Sequence, residues 1–153
     1  MPDLLAGTTV RGLDFPKAVS DRGDTSFDAT NTTFGTASTG GTYDEVGVVF
    51  TAPTSGRVAI HTAARLKNTA AGNGTLAAPE IRIGSTIGSG TAVQAIGDGH
   101  GVADYSGAFS RQGATTYVEG LTPGSSYNVR LLHRVSAGTG SIALRELIVV
   151  PLP

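Results

Sequence analysis

The segment Leu121-Thr122-Pro123-Gly124-Ser125-Ser126-Tyr127-Asn128-Val129-Arg130-Leu131-Leu132-His133-Arg134-Val135 runs from turn chemistry directly into a strand pattern. Pro123 presets φ, and Gly124 can take the positive φ that closes a type II turn. From Tyr127 onward, alternate residues place Tyr127, Val129, Leu131, His133 and Val135 on one face. Asn128, Arg130, Leu132 and Arg134 fall on the other. A period of two with one apolar face commits this stretch to a half-buried sheet. No helix of appreciable length is readable elsewhere, so coiled-coil, helical DNA-reading and Rossmann architectures fall away. The expected fold is all-β, a single antiparallel sandwich.

Composition agrees with many short strands. The chain has 153 residues, enough for one domain that removes roughly 68–70% of its unfolded surface from water. Gly at 22 residues is about twice the usual frequency and supplies tight turns. The core must be built from small pieces, because there is no Trp, one Met, five Phe and four Tyr. A net charge of -1 gives no electrostatic reason to expect nucleic acid or an anionic membrane as partner. The absence of Cys excludes disulfides and thiolate metal sites. Residues 1–5 lack the basic and apolar regions of a secretory signal, and no stretch reaches the ~20 apolar residues of a membrane-spanning helix. Synthesis in a cytoplasm without secretion is the expectation.

Residues 1–20 hold Leu4, Leu5, Val10, Leu13, Phe15 and Val19 without helical or strand periodicity, and Phe15-Pro16 favours extended backbone. They read as an arm that covers either its own sandwich or a partner subunit, with the sandwich domain over 21–153. Residues 20–44 read as a long ordered loop with one or two short edge strands. Within it, Arg22-Gly23-Asp24 spells an integrin-type tripeptide, but nothing else speaks for an animal extracellular protein. Asn31-Thr32-Thr33 and Asn73-Gly74-Thr75 fit a glycosylation pattern and read as plain loops. Residues 46–51 and 57–63 form a hairpin-like pair around Ala52-Pro53-Thr54-Ser55-Gly56. Residues 67–78 read as a loop with Asn73-Gly74 at its tip, followed by strands at 80–83 and 92–96. Two further strands, roughly 105–112 and 114–120, lead to the Pro123 turn. The last segment, 141–151, is apolar on both alternating faces, which requires a central position in a sheet or a neighbouring subunit.

Reaction chemistry is sparse. Gly84 to Gly90 lacks the Lys-Ser/Thr of a phosphate-binding loop and no helix pattern follows it. Asp98, His100 and Asp104 crowd together and could supply three metal ligands, but Gly99 and Gly101 speak as strongly for a flexible loop, so no metal or cofactor is expected. His61, His100 and His133 lie in three separate segments, and no Gly-x-Ser-x-Gly elbow is present. Carboxylates paired only by the fold stay open, although the chain has no Trp and few Tyr to stack on a sugar ring.

Two resemblances add to this. Leu121, Pro123, Gly124 and Tyr127 resemble the corner of fibronectin type III and other β-sandwiches, where a tyrosine past the turn bonds back to the backbone. Three stretches in order are similar to small virion proteins of tailed bacteriophages of actinobacterial hosts, namely head decoration proteins and modules at the ends of tail proteins. They are Leu4 to Pro16, the Val48 to Val58 segment, and Gly120 to Gly124 continuing into Arg130 to Val135. This resemblance implies a jelly-roll-like sandwich of about eight to ten strands, commonly a homotrimer, that is not an enzyme. Its partner would be the major capsid protein, with Leu4, Leu5, Val10, Leu13 and Phe15 against the shell at the capsid surface. Loops near Asn73 and His100 would face outward or toward sister subunits. The alternative is a carbohydrate-binding host-recognition module of a tail or head fibre.

Overall fold

A computed structural model describes residues 16–153. Among these described residues eleven strands form two antiparallel sheets: β1 (Val19–Gly23), β2 (Phe27–Ala29), β3 (Gly40–Gly41), β4 (Gly47–Thr51), β5 (Val58–Asn68), β6 (Thr75–Ile83), β7 (Ala92–Gln94), β8 (Val102–Asp104), β9 (Ser110–Val118), β10 (Ser126–Val135) and β11 (Gly140–Pro151). The first sheet has the order β3-β2-β11-β5-β9, with β1 also on β11; the second has the order β4-β10-β6-β7, with β8 also on β6. Along one edge of β11, β2 pairs with Gly140 to Ile142 and β1 with Arg145 to Val149, so the two are halves of one interrupted strand. β7 and β8 divide β6 in the same way. Counted so, and setting β3 aside, each sheet has four strands and the chain crosses between them in jelly-roll order.

The core lies between the sheets. In β5 every second residue from Val58 to Asn68 is buried, the alternation that one solvated and one packed face demands. Ile60 and Leu66 from β5, Val129 and Leu131 from β10, and Phe27, Phe50, Ile81, Ile142, Leu147 and Val149 belong to one buried cluster. β11 sits centrally between β5 and the β1/β2 edge, with Ile142, Leu147 and Val149 buried inward and Ile148 and Val150 half-buried on the outward face.

Several sequence expectations need correction. The segments 46–51 and 57–63 are not a hairpin: β4 pairs with β10, while β5 pairs with β11 and β9 in the other sheet. Alternation assigns each strand an inward face but not its hydrogen-bonded neighbour. The 52–56 link is an arch whose bonds reach the Pro123 corner: Ala52 N–H donates to Ser125 O, Gly124 N–H to Ala52 O and Leu121 N–H to Gly56 O. Residues 67–78 are not one loop, since β5 continues to Asn68 and β6 starts at Thr75. Lys, Asn and Ala carry weak strand preference, but buried Asn68 donates to Thr75 Oγ1 (3.2 Å) and Ala137 O (3.0 Å) and fixes the strand ends there. The two strands expected over 105–120 are the single β9, in which Gly113 faces Ala63 instead of breaking the strand. Val19 and Ser20, included in the arm by sequence, are paired in β1. Leu4, Leu5, Val10, Leu13 and Phe15 lie outside the described residues.

β11 carries a bulge. Its register on β5 shifts between Ala143 and Glu146, and Leu144 takes φ 46. The extra residue moves the inward set from Ile142 to Arg145, Leu147 and Val149, which drives Arg145 into the core at 2% exposure. Arg145 donates Nη1 to Asp44 O (2.6 Å) and pairs through Nη2 with the Asp44 carboxylate, also reaching Thr25 Oγ1 at 3.3 Å. Its guanidinium stacks over Phe27 (4.8 Å) and Tyr43 (5.4 Å). Of the tripeptide Arg22-Gly23-Asp24, Gly23 serves this packing. Arg22 pairs with Asp24 at 2.5 Å, and a Cβ on Gly23 would stand 2.6 Å from Arg145 Nη2.

At the corner, Ser125 N–H donates to Thr122 O (3.1 Å) across Pro123-Gly124, with Gly124 at φ 77. Tyr127 Oη accepts the Thr122 N–H at 2.9 Å, and its ring stacks on Phe50 with centroids 5.7 Å apart. Tyr127→Phe is expected to lower unfolding free energy by about 1 kcal/mol in urea titration, because the Thr122 N–H loses its partner. Gly56→Ala should cost more, about 2 kcal/mol or above: Gly56 has φ 67, and a Cβ would lie 2.5 Å from Leu121 O.

His133 gives a pH signature. Burial pushes its imidazole below the ordinary 6.5; the hydrogen bond to Ala37 O (2.7 Å) opposes the push and the Arg145 charge reinforces it. A depressed folded value means the neutral ring contributes stability above about pH 6.5 that is lost as pH falls below it. Melting temperature should therefore drop between about pH 7.5 and pH 5.5, and His133→Gln should flatten that drop in calorimetry.

Candidate interaction surface

The outward faces of the two sheets differ. On the second sheet the chain covers part of its own strands, leaving Val49, Ile83 and Val93 exposed. Asn128, fully buried on the outward side of β10, accepts the Gly88 N–H (3.0 Å) and donates to Gly84 O and Ser89 O (both 3.1 Å), which fastens the 84–91 loop over the sheet. Glu80 bridges Arg82 (2.7 Å) and Arg130 (2.8 Å) beneath that cover. The Arg82 hydrogen bond above all, against the cost of burial and with help from Arg130, holds the Glu80 carboxyl below its usual range. Leu132 and Ala78 are buried on the same side near the 3-10 turn Asp98–His100, whose following Gly101 approaches so closely that a Cβ would lie 2.1 Å from Ala77 O.

That turn holds the residues that sequence singled out for metal. They do not converge. Asp98 pairs with Arg134, whose hydrogen bond keeps the Asp98 carboxyl low. His100 Nε2 meets Gln94 Nε2 at 2.8 Å, while Asp104 accepts the Ser106 N–H (2.7 Å) and the Ser110 hydroxyl. Among the described residues no group of three His, Asp or Glu could hold a metal ion. Asn73 lies apart from this turn, in the 69–74 loop, where Gly74 packs against the Tyr105 ring and Ser136 N–H donates to Gly74 O.

The first sheet is open outward. β5 presents Ala59, His61, Ala63, Arg65 and Lys67; β9 presents Arg111, Gly113, Thr115 and Tyr117; β11 presents Glu146, Ile148 and Val150. His61, Arg65, Arg111, Gly113, Thr115 and Tyr117 are exposed, and no described loop covers them. A shallow depression of ≈ 380 Å³ lies at the middle, where Ala63 and Gly113 face one another and contribute almost no side chain. Its rim is formed by His61, Thr115, Glu146 and Ile148. His61 Nδ1 and Thr115 Oγ1 are 2.8 Å apart, the nearest approach here to a base beside a hydroxyl nucleophile. Yet both are exposed, and among the described residues no carboxylate hydrogen-bonds to His61. Glu146 is instead paired with Arg111 at 2.6 Å.

Sequence reading missed the cationic corner of this face. Arg65 and Lys67 carry a signal, two cations at alternate positions that must share a face. Their meeting with Phe109 and Arg111 depends on the register of β5 against β9, which the sequence does not spell out. Among the described residues no helix is long and apolar enough to cross a membrane. Neither a protein-family model nor a curated protein matches the chain.

Proposed function

We propose that this chain is a non-enzymatic structural protein of a tailed-bacteriophage virion, a decoration subunit made in the host cytoplasm that binds the major capsid protein at the capsid surface and stabilises the head lattice. A homotrimer is the expected form. The observation that carries the reading is a jelly roll with one sheet partly covered by its own loops and the other open and without a convergent catalytic group among the described residues. Such a face suits broad contact with another protein better than enclosure of a small substrate, for which a deep pocket is the rule. The apolar residues upstream of β1, Leu4, Leu5, Val10, Leu13 and Phe15, add a second contact. At roughly 25 cal/mol per Å² of apolar burial, before association costs, five such side chains supply several kcal/mol per subunit, and a trimer multiplies this through effective concentration.

A second reading, a carbohydrate-binding host-recognition module, is favoured by one feature. Tyr117 is 51% exposed beside Thr115 and His61, an aromatic with polar neighbours on which a sugar could stack. A glycan array separates the two, since a decoration protein should retain none.

Light scattering of the purified protein should give about three times the 15.4 kDa chain mass, and the protein should co-sediment with empty expanded heads. A monomer that ignores heads would end the decoration reading. Deleting residues 1–16 is expected to leave the melting transition in place while removing most head binding; loss of folding would instead assign those residues to the protein's own core.

A further inference from the structure

Three cations stand together at one corner of the open face. Arg65 lies directly opposite Arg111 across β5 and β9, and Lys67 follows on the same side of β5. Like charges directly opposite one another destabilise an antiparallel pair, so sheet energetics does not account for this placement. Glu146 pairs with Arg111, but among the described residues no carboxylate lies within ion-pair distance of Arg65 or Lys67. Both are held over a single half-buried ring, with the Arg65 guanidinium 4.9 Å and the Lys67 ammonium 4.7 Å from the Phe109 centroid. Cation–π attraction restrains two long side chains before any partner arrives, which lowers the ordering cost of binding. Beside them the surface dips over Ala63 and Gly113.

We propose that this corner is a docking site for an acidic, extended segment of a partner protein, its carboxylates on Arg65 and Lys67 and its backbone in the dip over Ala63 and Gly113. The proposal rests on the reading of the chain as a subunit that binds other proteins. Charge pattern sets the chemical class. Arg65 offers the planar fork that matches a carboxylate. Glu146 and Asp28 stand near the cations, Asp28 bonded to Ser141 one strand from Lys67, and the whole chain carries a net charge of -1. A continuous polyanion such as nucleic acid meets repulsion from both acids, whereas a peptide can space its carboxylates between them.

The test uses a fluorescein-labelled peptide of alternating Glu and Ala, read by anisotropy on the full chain, and, separately, co-sedimentation with empty heads. Wild type should bind the peptide. R65E/K67E should weaken binding by about tenfold or more, and raising NaCl from about 50 to about 300 mM should weaken the wild type several-fold. Should the charge-reversed protein fail to fold, R65Q/K67Q reads the same loss. No peptide binding by wild type, equal binding by the variant, or preference for a sulfated oligosaccharide or DNA over the peptide would overturn the docking site. Heads bound equally well by R65E/K67E and wild type would also overturn it while leaving decoration standing. Peptide binding that depends on Arg65 and Lys67 without any head binding would support the site and remove decoration.

Discussion

A guanidinium placed between two sheets must be hydrogen-bonded on nearly every side or it costs several kcal/mol, and the architecture around Arg145 is arranged to meet that demand. Asp44, just ahead of β4, supplies both a carboxylate and a carbonyl; Thr25, between β1 and β2, supplies a hydroxyl. Phe27 and Tyr43 supply ring faces for the charge, and only Nε is left without a partner. Desolvation pushes the Asp44 carboxyl up, but hydrogen bonds from Thr25 and Arg145 and the Arg145 charge outweigh it and hold it below its usual range. One side chain thus joins the last strand of the first sheet, the break in the first strand and the entry to the second sheet. The break at Asp24 to Ser26 stands opposite Ala143 and Leu144, where the bulge between Ala143 and Glu146 begins.

This explains which parts of the fold were legible. The face assignment of β10 followed from period two because nothing interrupts that strand, and Pro123-Gly124 announced the turn before it. In β11 period two fails, because an Arg between Leu144 and Glu146 reads as an outward charge until a bulge turns it inward. The Ala- and Thr-rich start of β6 was unreadable for a different reason: its buried surface comes from close approach of small side chains, which carry little hydrophobic signal. The arch of Ala52 to Gly56 was misread because its hydrogen bonds are made with Leu121 to Ser125, far along the chain.

The same division holds for the candidate surface. Arg65 and Lys67 announce a shared cationic face, but Arg111 and Phe109 join them only through a register that no local pattern encodes. The residues with the strongest local signal, Asp98, His100 and Asp104, each find a separate partner inside the fold. Crowding in sequence is a poor guide to convergence where a strand or tight turn points neighbours apart.

The pairing of β1 with β11 bears on how the protein comes off the ribosome. Val19 meets Val149 and Gly23 meets Arg145, so β1 pairs with a strand that is made after every other described strand. Until Gly140 to Pro151 leaves the exit tunnel, β5 lacks one of its two neighbours, β1 and β2 have no sheet to join, and Asp44 and Thr25 have no guanidinium to receive. Closure of the sandwich therefore waits for that strand and is slow by the standards of locally connected folds, and in the meantime two strand edges stand open to other nascent copies.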